Sequence, residues 1–332
     1  MRALYWNGQD LELKRNYATS DEPLPGDVPG GGFRAAPDPL VPVRVHLAGI
    51  CSTDLQIFKG YMGFTGVPGH EFVGTVQDAP GNLCGKRVVG EINFGCEACE
   101  YCRRGLTRHC PNRRVMGILN ADGAFAEFVR VPAANLHTVP DTILDEEAVF
   151  TEPLAAAFEI LEQVRIESGD RVLVLGDGKL GNLCAQVLSL TGADVTTLGR
   201  HERKLDLIRD LGIRAVALQD WTPEAYDVVV EATGSESALK LAMESVRARG
   251  TLVLKSTIAG EHRLSLAPLV INEVTVVGSR CGLFMPALSA LEQKTVKVKP
   301  LIESVYPLDD GITAVARAAT RGALKILINP KS

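Results

Sequence analysis

The sequence predicts an α/β protein in two parts, a compact β-barrel followed by a doubly wound, six-stranded parallel sheet. Three observations carry this expectation. Short β-prone segments separated by turns occupy the region before residue 152. From Ile166 onward, strands and helices alternate at the spacing of βαβ units. Finally, RVLVLG at Arg171–Gly176 is almost continuously apolar, as a parallel strand covered on both faces requires.

Taken in order, Met1–Arg15 reads as two short strands about the turn Asn7-Gly8. Glu22–Leu40, rich in Pro and Gly, reads as irregular. Val41–Leu47 alternates apolar and polar residues as a half-buried strand does, with His46 on the polar side as an ordinary hydrogen-bonded histidine. Further β segments are expected at Lys86–Ile92 and Ala124–Val131. After Gly176 a helix over 180–190 is closed by Gly192. A strand at 195–198, a helix at 202–211, strands at 215–218 and 227–232 and a helix at 235–248 follow. Strands at 251–256 and 274–279 complete the six. Pro286 opens a helix running to Leu291, and the tail ends in the strand ALKILI.

The totals narrow the function. A chain of 332 residues with 46% hydrophobic and 23% charged residues suits a soluble protein with two cores. A net charge of −5 argues against nucleic acid or an anionic membrane as the main partner. No apolar run approaches the roughly 20 residues needed to span a bilayer. MRALYWNGQD has no apolar core of a secretory signal, so a cytoplasmic location is expected. The eight cysteines should then be reduced, and the four crowded between Cys96 and Cys110 suggest metal rather than disulfides.

Five stretches carry chemistry. In GICSTDLQIFKGYMGFTGVPGHE, Cys51, His70 and Glu71 offer a thiolate, an imidazole and a carboxylate, a donor set that suits zinc. Thr53 sets a hydroxyl beside that metal, and Asp54 can accept the second N–H of a ligating histidine. Cys96, Cys99, Cys102 and Cys110 form C-x2-C-x2-C-x7-C, four thiolates that saturate a structural zinc and leave no position for water. A nucleic-acid-binding zinc module competes with this reading, but the basic patch of Arg103, Arg104 and Arg108 is only local. GDGKLG sets Gly176, Gly178 and Gly181, with Leu180, between a strand and a helix whose N-terminus can hold a pyrophosphate. At the end of the next strand, where an acidic residue commonly accepts from the ribose of NAD, stand Gly199 and Arg200, followed by Lys204. Glu152 lies near a helix start in TEPLAAAFE, as a dipole partner or as a further zinc ligand.

Together these residues resemble the zinc-containing medium-chain dehydrogenases, the alcohol, polyol and threonine dehydrogenase family. The resemblance covers essentially the whole chain, because GICSTD, GHE, the four-cysteine lobe, EPL and GxGxxG occur in the family's order. It implies a GroES-like catalytic domain over 1–152, a Rossmann domain over 153–284 and a return to the catalytic domain over 285–332. It implies two zinc ions per chain, one structural and one catalytic on Cys51, His70 and Glu152, with Glu71 matching a carboxylate that ligates zinc directly in some members or states and lies behind it in others. It also implies a homodimer or homotetramer, with VTVVGS pairing across subunits. Gly199-Arg200 looks like the NADP-using members, and Lys325 matches a cation that contacts cofactor phosphate in some relatives. Gln56 stands where some alcohol dehydrogenases carry a proton-relay histidine, so the relay must differ and Thr53 is its nearest group. The activity implied is hydride transfer between an alcohol and NADP. The alternatives are the reverse carbonyl reduction and a non-catalytic nucleotide sensor, which an intact ligand set disfavours.

Overall fold

The computed structural model describes residues 1–18, 40–79, 81–258 and 260–331. The irregular segment expected at 22–40 lies outside them apart from Leu40. The chain forms two compact units, Met1–Glu152 with Ile302–Ser332, and Pro153–Leu301.

The first unit begins with β1 (Ala3–Trp6), β2 (Leu11–Lys14), β3 (Leu40–Gly49), α1 (Ser52–Ile57), β4 (Glu71–Val76) and β5 (Arg87–Gly90). It continues with β6 (Asn93–Phe94), α2 (Glu100–Arg103), β7 (Arg114–Val115), β8 (Phe128–Pro132), β9 (Leu136–Thr138) and α3 (Asp145–Ala148). The helix α4 (Thr151–Gln163) carries the chain into β10 (Arg171–Leu175), α5 (Lys179–Ser189), β11 (Asp194–Gly199), α6 (Glu202–Arg209) and β12 (Arg214–Ala217). Then come β13 (Tyr226–Glu231), α7 (Glu236–Ser245), β14 (Val246–Leu254), α8 (Ala267–Ile271), β15 (Thr275–Gly278) and α9 (Phe284–Glu292). The chain finishes with β16 (Ile302–Pro307), α10 (Gly311–Ala318) and β17 (Lys325–Asn329).

The β1–β2 hairpin turns as its sequence requires. Asn7 Oδ1 accepts from the N–H groups of Gln9 and Asp10, both at 2.8 Å, and Gly8 takes the left-handed φ of +98°. Seven strands form the sheet of this unit, in the order β16-β17-β3-β4-β5-β9 with β8 also paired to β3. Val41, Val43, Val45 and Leu47 of β3 are buried, as their alternation demands. His46, on the opposite face, is structural: Nδ1 is 2.8 Å from Asp145 Oδ2 and Nε2 is 2.9 Å from Thr75 Oγ1.

The second unit is built on a six-stranded parallel sheet in the order β12-β11-β10-β13-β14-β15. Val172, Leu173 and Val174 of β10 are wholly buried, as an apolar central strand must be. Two boundaries differ from the sequence expectation. The helix expected to reach 248 stops at Ser245, because Val246 already pairs with Tyr226 as the start of β14. The return to the first unit begins at Ile302 rather than at 285. Gln186 holds the intervening segment against α5, accepting from Lys297 N at 2.7 Å and donating to Lys297 O at 3.0 Å.

Candidate functional site

The thiolate–imidazole–carboxylate cluster follows from the register of β3 and β4. Gly49 of β3 pairs with Glu71 of β4, so Cys51 and His70, just beyond that pair, meet at the sheet's end. Cys51 caps α1: its sulfur accepts from Thr53 N at 3.5 Å, and Asp54 accepts from Cys51 N at 2.8 Å. One donor atom each from Cys51, His70 and Glu71 then lie within 4.8 Å of one another. Thr53 Oγ1 is 3.7 Å from Cys51 Sγ, where the sequence placed it.

The residues present fit a cation. Asp54 is fully buried, and its Oδ1 lies 3.2 Å from His70 Nδ1 without the alignment of a hydrogen bond. Burial disfavours an imidazolium at His70, yet Asp54 and Cys51 outweigh it and raise the pKa well above the usual value. Surroundings that stabilise positive charge on a buried ring will also stabilise a dication beside it. Glu71 Oε1 is buried and has no hydrogen-bond partner among the described residues, which leaves a carboxylate oxygen for a metal.

The other oxygen, Oε2, is paired with the ammonium of Lys325 at the start of β17, and both side chains are 1% exposed. This corrects the expectation that Lys325 contacts cofactor phosphate: it is enclosed with Glu71. Its Nζ also lies 5.4 Å from the ring centroid of Phe150. The pair changes the charge balance. Cys51 thiolate and Glu71 carboxylate, offset by Lys325, would leave a bound zinc site at +1. Gly49 makes the arrangement possible, since a Cβ there would stand 2.3 Å from Glu71 Oε2. Glu152, half-buried in the first turn of α4, is not part of this cluster.

The four-cysteine lobe closes as its spacing predicts. Cys99 caps α2 and accepts from Cys102 N at 3.5 Å, and Cys110 accepts from Cys96 N at 3.4 Å. Cys99 Sγ lies 3.5 Å from Cys102 Sγ and 3.7 Å from Cys110 Sγ, and all four sulfurs fall within 4.8 Å of one another. Burial, together with Cys99 and Cys110, pushes the Cys102 thiol up to about 12. At Cys96 burial is outweighed by hydrogen bonds from neighbouring groups, which pull its thiol down to about 7, and four sulfurs at this spacing suit a four-thiolate metal site.

The GDGKLG turn also forms as expected. Gly176 takes φ +125°, and a Cβ on Gly181 would lie 1.9 Å from Gly176 O, so α5 packs directly on the turn. Gly178 caps α5 with no side-chain hydrogen bond, and a Cβ on it would meet nothing within 4 Å. Open space over an uncapped helix N-terminus fits a pyrophosphate.

The end of β11, where Gly199 and Arg200 stand in place of the usual acidic residue, nevertheless holds an acid. A Cβ on Gly199 would lie 2.5 Å from Asp177 Cβ, so the space belongs to Asp177, the second residue of GDGKLG. Its Oδ2 accepts from Arg200 N at 2.6 Å and His201 N at 2.7 Å and lies 3.0 Å from His201 Nδ1. Lys204 Nζ is 3.9 Å from Asp177 Oδ1, and both residues are buried. Arg200 points elsewhere, with Nη2 3.5 Å from Ser237 Oγ. Sequence reasoning missed Asp177. Its signal was an acid inside the glycine turn matched by a glycine at the next strand's end.

A fold with this sheet order, a glycine turn on its central strand, a four-cysteine lobe and a thiolate–imidazole–carboxylate cluster defines a zinc-containing dehydrogenase class. The Alcohol dehydrogenase GroES-like domain pattern matches residues 37–141, and the Zinc-binding dehydrogenase pattern matches residues 180–294. D-arabinitol dehydrogenase 1 of Uromyces fabae is 30% identical over 313 residues, covering 87% of this chain and 89% of the relative. D-altritol 5-dehydrogenase of Agrobacterium fabrum is 33% identical over 289 residues, covering 81% of this chain and 85% of the relative. A zinc-binding dehydrogenase from Sinorhizobium meliloti, solved with NADP, superposes with a TM-score of 0.85 at 25% identity over 99% of each chain. The chain belongs to the zinc-containing medium-chain dehydrogenase family, and its chemistry is that of an alcohol oxidoreductase.

Proposed function

We propose that the protein is a zinc-dependent dehydrogenase that moves hydride between a secondary alcohol of a polyol and NADP. The observation that carries the metal part is the buried Cys51–His70–Glu71 cluster with an unpartnered Glu71 oxygen. Similarity to enzymes named for arabinitol and altritol supports the polyol class. When bound, zinc supplies Lewis acidity toward the substrate oxygen and the nicotinamide supplies a hydride acceptor.

The chain's own residues do the rest. Cys51, His70 and Glu71 hold the metal, and Asp54 keeps the His70 ring in place. The Thr53 hydroxyl takes up or passes on the substrate proton. Gly176, Gly178, Leu180 and Gly181 bring backbone N–H groups to the pyrophosphate, and Arg200 offers a planar guanidinium to the 2′-phosphate. Asp177 limits this assignment without cancelling it, because its carboxylate is held by the N–H groups of Arg200 and His201 beneath the exposed Arg200 side chain. Cys96, Cys99, Cys102 and Cys110 hold a second, structural zinc. The outer strand β15, with Val276 43% exposed, supports assembly into a homodimer or homotetramer. Light scattering should show more than one chain.

The test is a screen of polyols, sugars and simple alcohols with NADP and NAD, following reduced nicotinamide. Turnover should favour NADP and a polyol, vanish on chelation and return with zinc. Turnover that survives complete removal of metal would overturn the assignment.

A further inference from the structure

We propose that Asp177 limits the preference for NADP: as an internal counter-charge it engages His201 and Lys204 and leaves 2′-phosphate recognition to Arg200 and the Ser237 hydroxyl. The inference rests on the NADP reading above and names the group that limits it. The geometry is specific. Asp177 comes from the turn after β10, yet its carboxylate is seated at the end of β11, in the space a side chain on Gly199 would fill. There it accepts both backbone N–H groups that precede α6, faces His201 Nδ1 at 3.0 Å, and has the Lys204 ammonium 3.9 Å away. Of the cations after β11, Lys204 is buried beside this acid, whereas the Arg200 side chain is exposed.

Beside Arg200 stands a row of hydroxyls from the segment after β13. Ser237 Oγ is 3.5 Å from Arg200 Nη2 and Ser235 Oγ is 3.4 Å from Ser237 Oγ, while Thr233 Oγ1, 3.2 Å from Ser235 Oγ, donates its own hydrogen to Glu231 Oε1 at 2.6 Å. A guanidinium next to hydroxyl donors is a phosphate-binding combination. A fixed carboxylate on the inner side of the same backbone opposes it by like-charge repulsion. Asp177 therefore has two effects on a phosphate bound there. It adds repulsion, and it holds down a lysine that would otherwise add attraction. Both effects predict that neutralising it strengthens binding of the phosphorylated cofactor and leaves the other almost untouched.

A role limited to anchoring the backbone predicts something else. Asp177→Asn keeps the size and an oxygen to accept the N–H groups, so a purely structural residue would tolerate it with no change in preference. Asp177→Ser, smaller and able to accept one of the two N–H groups, serves if the asparagine variant does not fold.

The experiment is calorimetric titration of the zinc-loaded full chain with NADPH and with NADH, at low and moderate salt. A neighbouring charge shifts such equilibria by one to three decades when close, so Asp177→Asn should tighten NADPH by about tenfold. NADH affinity should stay within roughly twofold, and the gain should shrink with salt. Adding Lys204→Met to Asp177→Asn should give back part of the gain. Arg200→Ala separates the two readings. If it weakens NADPH alone while Asp177→Asn and Asp177→Ser leave the NADPH-to-NADH ratio unchanged, the NADP reading stands and the counter-charge role is wrong. If Arg200→Ala changes neither affinity, the NADP reading itself falls, and this inference with it. Should neither Asp177 variant fold, Asp177 is a structural anchor and the proposal is overturned.

Discussion

Replacing Lys325 by Met tests the buried pair with Glu71. The substitution keeps length and apolar contact with Phe150 but removes the ammonium. It leaves the Glu71 carboxylate 1% exposed, with Oε1 already lacking a partner, so solvent gives no compensation. Removing one member of a buried ion pair costs about 3–5 kcal/mol. That full cost is expected of the metal-free protein. With zinc bound, the dication beside Glu71 replaces the lost ammonium, and the loss should fall below about half. Urea denaturation of chelated and zinc-loaded protein reads this. Trp221→Phe removes the reporter in the dinucleotide unit and leaves buried Trp6, packed on Phe58, to report on the unit that holds the site. Adding Glu71→Gln should recover most of the metal-free loss, because the stranded charge is then gone. A metal-free loss below about 1 kcal/mol, or equal losses with and without zinc, would refute the reasoning.

Three further outcomes are expected. Cys99→Ser should lower bound zinc from two ions per chain to one, by metal analysis, and destabilise the fold while the Cys51 site keeps its metal. Thr53→Val should slow turnover by about 10²–10⁴-fold if its hydroxyl handles the substrate proton; unchanged turnover with hydride transfer rate-limiting would remove it from the mechanism. Asp145 gives a pH signature. Burial works against its carboxylate, but His46 and Arg87 outweigh that and hold its pKa below the ordinary 3.8. A depressed folded-state pKa contributes stability that is complete above about pH 4 and is lost as pH falls through the lower folded value. Asp145→Asn should therefore be less stable than wild type at neutral pH, with the difference narrowing below pH 4 in acid denaturation curves.

What was legible in the sequence was what is local. RVLVLG had to be a central strand, and C-x2-C-x2-C-x7-C had to bring four sulfurs together, because both depend on spacing along one short segment. Cys51, Thr53 and Asp54 were equally readable, being the cap and first turn of one helix. The less legible features join distant segments through buried charge. Nothing near Glu71 announces that Lys325 pairs with it, because the pairing depends on β17 lying against β3. Gly199 was visible, but its reason was not: the glycine yields space to Asp177, so a side chain added there meets that carboxylate before any ligand. The expected helix 235–248 overruns because the first stop signal, Gly250, lies beyond the true end at Ser245, and only pairing with β13 shows that the strand has begun.

The placement of Lys325 has a consequence during synthesis. Glu71 and its counter-ion are 254 residues apart in sequence. Strand β17 also supplies a partner for β3, with Ile50 N donating to Ile326 O at 3.0 Å beside Cys51. A nascent chain thus carries Cys51, His70 and Glu71 out of the ribosome long before the strand that neutralises and braces them exists. The dinucleotide unit, contiguous in sequence, can form first. The unit that holds Cys51, His70 and Glu71 must wait, with an unpaired strand edge and an uncompensated carboxylate in the interval. Premature termination between Leu301 and Lys325 should leave a product whose dinucleotide unit is sound and whose other unit never closes.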